Sequence, residues 1–284
     1  MSKYTSEEID NFTAEEFAWA LGEAWSTRDG PTFLSLFTPD ALVEHPLFSG
    51  PTPVGTILFA ACQANVSLTE PTDVQIGNGG ISLELSFDDF GVQHNLLSEH
   101  VGTVRATATM RGRRASLLSV HGFGVRAATD EDRKKFAEAY GGQLPEPRPR
   151  RYSSSEIDAM DMESFARALG EAWGGNDAET FISFFSSDAL IHHPLFSASS
   201  GPLPPRTVVE VLNGSYIGTT VLQRVVEEGG QMVALYDEVP DPYPTPSPVI
   251  PTMKVRARMR ERRIEELYVD GYTVRHADQS FQPV

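Results

Sequence analysis

Two histidines stand in the same local sequence. His45 lies in Val43-Glu44-His45-Pro46-Leu47-Phe48, and His193 in Ile191-His192-His193-Pro194-Leu195-Phe196. An imidazole titrates near pH ~6.5 in water, close to what a general base needs at neutral pH. On a strand, neighbours point to opposite faces, so His192 and its counterpart Glu44 face outward if His193 and His45 face in. Near the C-terminus, Ile264, Glu266, Tyr268, Asp270, Tyr272 and Val274 fall at every second position. With period two they share one face, which sets Asp270 between two tyrosines. An aspartate in an apolar surround has a raised pKa and can donate a proton to a developing enolate oxygen. On the alternative reading, that face is structural and Asp270 pairs with Arg256 or Arg258. The matching positions earlier in the chain are Leu117, Ser119, His121, Phe123 and Val125, so His121 stands where Asp270 does. Tyr216 and Tyr236 are further candidate donors. Trp25 and Trp173 end apolar helix stripes and serve as core or as walls of a binding site. His94 and His100 lie on or near strands of the first half, where either could pair with His45.

Other chemistries find no support. The seven histidines do not fall at zinc-ligand spacing, and no HExxH occurs. There is no phosphate-binding loop, no GxGxxG opening a helix and no Ser or Cys nucleophile motif, so neither metal nor cofactor is expected. A formal charge of −16 argues against nucleic acid and against anionic membrane surfaces. No run of about 18 apolar residues is present to span a bilayer. The segment MSKYTSEEID lacks the apolar core of a signal peptide, so the expected address is the cytoplasm. One cysteine, Cys62, excludes an internal disulfide.

The elements that must hold these residues occur twice. Tyr4–Phe48 aligns with Tyr152–Phe196 without a gap at an offset of 148, with about 26 identities in 45 positions. A period of that length is a domain, not a solenoid unit. Thr13 and Glu16 have capping-box spacing. Phe17, Ala20, Leu21, Ala24 and Trp25 then form one helix face, repeated by Phe165, Ala168, Leu169, Ala172 and Trp173. Asp29 and Asp177 are expected to cap a short second helix. A strand ending at Pro46, a third helix over 54–63 and a run of strands follow. Ile81, Leu83, Leu85 and Phe87 alternate with polar residues, as do Met253, Val255, Ala257 and Met259. The expected division is a first domain at 1–128, a helix and Pro-rich linker at 129–151, and a second domain at 152–284. Residues 239–251 are proline-rich, without a counterpart in the first copy, and read as a hairpin insertion or an edge loop, a candidate lid or partner contact. The class is α+β, helices packed on one side of a curved antiparallel sheet. The other face of each sheet is expected to pack on the sister domain, sheet to sheet.

A helix ending in ALGEAW, a D…F…FF..DA segment, V/I-x-H-P, a third helix and a long sheet resemble the NTF2-like fold, specifically its SnoaL-like polyketide cyclase and ketosteroid isomerase branches. The resemblance covers both copies. It implies two cone-shaped pockets, fused as a pseudo-dimer that can assemble further. In the ketosteroid isomerases the proton-abstracting carboxylate stands just before the proline; here His45 and His193 hold that position. In SnoaL-like proteins such a His-Pro can also bond to the backbone and close the pocket floor. In the cyclases a carboxylate on the last long strand acts as acid or base, which points to Asp270. The implied function is a cofactor-independent cyclase, isomerase or dehydratase acting on a hydrophobic polyketide-like molecule in natural-product biosynthesis, with the second copy favoured as active. The alternative is a ligand-binding or assembly module whose cones are plugged by side chains.

Overall fold

Side-chain caps start the helices in both halves. Thr13 Oγ1 accepts from the Glu16 N–H while the Glu16 carboxylate accepts from the Thr13 N–H, opening α2 (Ala14–Ser26) behind a short α1 (Ser6–Asp10). Asp29 caps α3 (Gly30–Ser35) through the Thr32 N–H. The second half repeats this with α6 (Ser154–Ala159), α7 (Met162–Gly174, capped by Asp161) and α8 (Ala178–Ser183, capped by Asp177). Each cap is worth about 1 kcal/mol. The computed structural model describes residues 2–62, 67–91, 99–139, 149–212, 216, 218–241 and 247–277.

In the first half β1 (Phe37–Glu44), β2 (Thr52–Pro53), α4 (Val54–Ala60), β3 (Ser67–Gly77), β4 (Ser82–Gly91), β5 (His100–Arg111) and β6 (Arg114–Ala127) follow the helices. Helix α5 (Asp130–Ala139) stands between the halves. The second half continues with β7 (Phe185–His192), α9 (Pro194–Ser197), α10 (Pro205–Val211), β8 (Gly218–Glu228), β9 (Gln231–Pro240), β10 (Val249–Arg260) and β11 (Arg263–His276). The sheets run β2-β1-β6-β5-β4-β3 and β7-β11-β10-β9-β8. Every pairing is antiparallel except β1 with β6 and β7 with β11. Each long helix crosses the concave side of its sheet, α2 on β3 and α7 on β8, and each half has its own apolar core. These are the two α+β cones expected from the sequence. Among the described residues no helix is long and apolar enough to cross a membrane.

The strict alternation expected along the last strand does not hold. Strand β11 carries two bulges, at Glu265 and at Asp270, where the register against β10 shifts. Each bulge inserts one residue and reverses the faces beyond it. Ile264, Leu267 and Val269 therefore turn inward, while Glu266, Tyr268 and Asp270 turn outward; beyond the second bulge Tyr272 turns inward again. Strand β6 is built the same way, with register shifts at Ser116 and His121. Gly122 (φ 126°) and Gly271 (φ 110°) follow the second bulge of each strand, in a conformation that suits glycine.

The cones do not pack sheet to sheet. Helix α10 sits on β4 and β5 of the first half, α4 on β10 of the second, and α9 on β6. The Tyr272 N–H donates to the Leu47 carbonyl (2.8 Å), and Ser199 Oγ donates to the Phe123 carbonyl. Phe123 and Val125 of the first half pack against the core of the second. The cones thus meet mouth to mouth. Their convex faces carry polar and ion-paired side chains such as Arg256–Asp270 and Arg258–Glu266, which is why a sheet-to-sheet seam does not form there. The Pro-rich stretch is not an insertion. It joins β9 to β10 as 92–99 joins β4 to β5, with both ends at an offset of 149 (Gly91 to Pro240, His100 to Val249); residues 242–246 and 92–98, including His94, lie outside the described residues.

A Cβ on Gly122 would lie 3.0 Å from the Leu195 carbonyl and at a positive φ, whereas one on Gly55 meets nothing within 4 Å. Gly122→Ala is expected to cost about 1–3 kcal/mol in urea unfolding, and Gly55→Ala, inside α4, to be neutral or mildly stabilising. Equal effects would show that the bulge does not hold the mouths together.

Candidate active site: one chamber between two cones

The floor of each cone is set by its His-Pro-Leu-Phe segment. Proline ends the strand, and the histidine ring folds back on the main chain. His45 Nδ1 accepts from the Leu47 N–H (3.4 Å), and His193 Nδ1 accepts from the Leu195 N–H (3.3 Å). With Nδ1 an acceptor, the neutral ring carries its proton on Nε2, the nitrogen facing away from the main chain. The two imidazoles close the backbone turn and also line the space between the halves, together with Trp25, Trp173, Tyr216 and Tyr272.

Two carboxyls complete the lining. Asp89 on β4 and Glu238 on β9 are both buried and occupy corresponding positions, 149 apart. Glu238 accepts from Trp173 Nε1 (3.1 Å) and bonds with the Tyr272 hydroxyl, which also reaches Met253 Sδ (3.3 Å). Asp89 is bonded by the hydroxyls of Ser67 and Thr69, the latter at 3.4 Å. A cavity of about 130 Å³ lies between the halves. It adjoins one of about 80 Å³ inside the first cone, sharing Trp25, His45, Asp89 and Phe123 with it. On the other side it adjoins one of about 30 Å³ inside the second cone, sharing Trp173 and His193. The second cone is the fuller one. Tyr236 fills it, its ring lying over Gly170 and its hydroxyl donating to the Ala166 carbonyl (2.8 Å).

Loss of water decides the charges. Burial lowers the His45 pKa to about 4; burial, and then repulsion from His45, lowers that of His193 to about 3. Both rings are neutral at pH 7. Burial raises Asp89 to about 6 against its hydroxyl partners, and Glu238 to about 7 against Tyr272 and Trp173. Burial first, and then the Glu238 charge, holds the Tyr216 and Tyr272 phenols well above their ordinary range. The chamber therefore offers neutral N–H donors beside carboxyls poised to exchange a proton near neutrality.

Of the candidates from the sequence, the structure brings His45, His193, Trp25, Trp173, Tyr216 and Tyr272 to the chamber and puts Tyr236 in the wall of the second cone. It does not bring Asp270, His121 or Tyr268 there. Asp270 is held by Arg256 in paired hydrogen bonds of 2.7–3.0 Å on the convex face. His121 is exposed and bonds through Nε2 to Thr107 Oγ1 (2.6 Å). Tyr268 stacks on His192 (4.2 Å between centroids) and bonds to Glu266. The bulges are the physical reason. His100 pairs instead with Glu210 of the other half (2.7 Å). Asp89 and Glu238 were missed, although extending the apolar series Leu83, Leu85, Phe87 by one more step of two reaches Asp89, and Met232, Ala234, Tyr236 leads likewise to Glu238. Among the described residues no group of acidic, His and Cys side chains could hold a metal ion.

Strand order, helix placement and lining define the chain as a tandem of two α+β cones facing one chamber. No family model and no curated relative matches it. Solved structures do. A protein provisionally assigned as a polyketide cyclase from Sinorhizobium meliloti is similar at 17% identity and a TM-score of 0.30, over 41% of this chain and 99% of its own. A steroid delta-isomerase from Pseudomonas aeruginosa is similar at 17% identity and a TM-score of 0.28, over 42% and 82%. An NTF2-like protein of unknown function from Cytophaga hutchinsonii follows at 11% and 0.29, over 40% and 91%.

The shifted groups make stability depend on pH in opposing ways. The imidazoles contribute stability that is full above pH 6.5 and is lost as pH falls through about 4 for His45 and about 3 for His193. The carboxyls contribute stability that is full below their ordinary values of 3.8 and 4.5 and is lost as pH rises through about 6 for Asp89 and about 7 for Glu238. Asparagine can keep the turn bond of either histidine without titrating. The stability of a His45→Asn/His193→Asn variant relative to the parent is expected to improve steadily from pH 6.5 to 4; a constant difference in thermal unfolding across that range would refute the buried neutral rings.

Proposed function

We propose that the chamber is the active site of a cofactor-independent acid–base enzyme acting on an apolar, oxygen-bearing small molecule. Asp89 is the base, and it removes a proton from carbon next to a carbonyl. His45 Nε2–H donates to the carbonyl oxygen as it gains enolate charge. The proton then returns at another carbon, giving a double-bond shift. Otherwise the enolate attacks an electrophilic carbon to close a ring, or expels a hydroxyl that leaves as water with the proton. The single observation that carries this reading is the pairing, in the lining of one cavity, of a buried carboxyl near pKa 6 with a neutral imidazole whose Nδ1 is already occupied. A neutral imidazole so held is an electrophile, as in triose phosphate isomerisation, so the base role passes from histidine to the carboxylate. The wider first cone favours the first copy as the working one, against the second copy favoured from the sequence. Polyketide-like intermediates, flat and apolar with several oxygens, suit its lining, and that fit supports a role in natural-product biosynthesis. The near-filled second cone favours a structural role for that half, the plugged-module alternative restricted to one copy.

Exchange of the α-hydrogens of 2-tetralone in D2O, followed by NMR, tests the chemistry without the natural substrate. The enzyme-catalysed rate is expected to rise with pH through about 6, since only ionised Asp89 accepts the proton. It is expected to fall at least ~100-fold in Asp89→Asn, and by roughly 100-fold in His45→Asn. Unchanged exchange in both variants would remove the assignment.

A further inference from the structure

The two cones share one mouth, and the polar groups repeat on either side of it. Asp89 and His45 stand on one side, Glu238 and His193 on the other, all lining the same central cavity. Between them the described wall is apolar or aromatic, with Phe48, Phe123 and Leu195 among the residues that face it. Neither half closes its own mouth. Leu195 and Val211 of the second half reach Gly122 and Gly102 of the first, while Leu47 of the first reaches Gly271 of the second. Two ligands, each confined to its own cone, would need two cavities of similar size. The structure has instead a wide first cone of about 80 Å³, a central space of about 130 Å³ and a second cone with room for about 30 Å³. A molecule too long for the first cone would extend into the centre, where Glu238 lines the cavity.

We propose that the chain binds one elongated aromatic ligand across both halves, with an oxygen function at each end, one met by Asp89 and His45 and the other by Glu238 and His193. This rests on the chamber being the site of the acid–base chemistry and adds what that site accepts. The first copy does the proton transfer. The second reads the far oxygen, where the Glu238 carboxyl accepts from a hydroxyl and the His193 Nε2–H donates to a carbonyl. The selected class is a two-ended oxygenated aromatic or quinone-like molecule, and an analogue with one oxygen should bind more weakly.

Calorimetry and native mass spectrometry on the full chain with 4,4′-dihydroxybiphenyl, and with 4-hydroxybiphenyl as the one-ended control, test the assignment. The expected result is one molecule per chain, with the two-ended probe bound about tenfold more tightly, the value of one hydrogen bond to a charged group. Asp89→Asn and Glu238→Gln should each lose about that factor for the two-ended probe while the stoichiometry stays at one. Near-ultraviolet circular dichroism of each free variant, unchanged from the parent, separates lost recognition from lost folding. Two molecules per chain, no saturable binding, or a Glu238→Gln variant that binds both probes as the parent does would each overturn the spanning ligand. None of these outcomes touches tetralone exchange at Asp89, so the two readings fail separately.

Discussion

The structure depends on a glycine bulge near the end of each last strand. There the chain takes a positive φ, the faces of the strand reverse, and the other half's His-Pro-Leu-Phe segment docks against the exposed main chain. One irregularity performs three tasks. It bends the strand enough to shape a cone, turns the acidic and basic side chains of its middle outward, and leaves room for a carbonyl from the opposite half. Because the feature occurs in both copies, the contact is made twice, related by the internal repeat. The result is a covalent dimer whose seam lies at the mouths.

Much of this architecture was legible in the sequence. The duplicated block, the capping residues Thr13, Asp29 and Asp177, and the helix stripe from Phe17 to Trp25 announce the elements that form. The histidine before the proline could be located, because His45-Pro46 and His193-Pro194 fall at the same place in the duplicated block. The faces of β6 and β11 could not be read, because an extra residue in a strand leaves no mark on composition, and strict period two assigned Asp270, His121 and Tyr268 to the wrong side. The pairing of Asp270 with Arg256, held open as an alternative, is what the strand geometry produces. The docking mode also escaped the sequence, since both faces of these strands carry enough apolar surface to suggest a seam. Asp89 and Glu238 were legible in principle, as carboxyls that continue an apolar series at matching places in both copies.

Desolvation distributes the roles inside the chamber. The same loss of water that keeps an imidazole neutral keeps a carboxyl partly protonated, so both kinds of group lose charge as the cones close. Their hydrogen bonds then set direction. A ring whose Nδ1 accepts from the main chain can offer only a donor to the cavity, and a carboxyl supported by serine and threonine hydroxyls can still ionise. A sequence shows which residue types are present but not which nitrogen is already engaged, and in the proposed reaction that detail exchanges base and acid between the two groups.

The Tyr236 ring fills the second cone above Gly170, and its hydroxyl is tied to Ala166. In effect this half carries a resident cargo that never has to be captured from solution, so no translational freedom is lost when it is seated. The first half, with Phe87 at the equivalent place, has no such tether and keeps its hollow. The two copies of one block are therefore unequal inside, the second filled by its own side chain and the first left hollow.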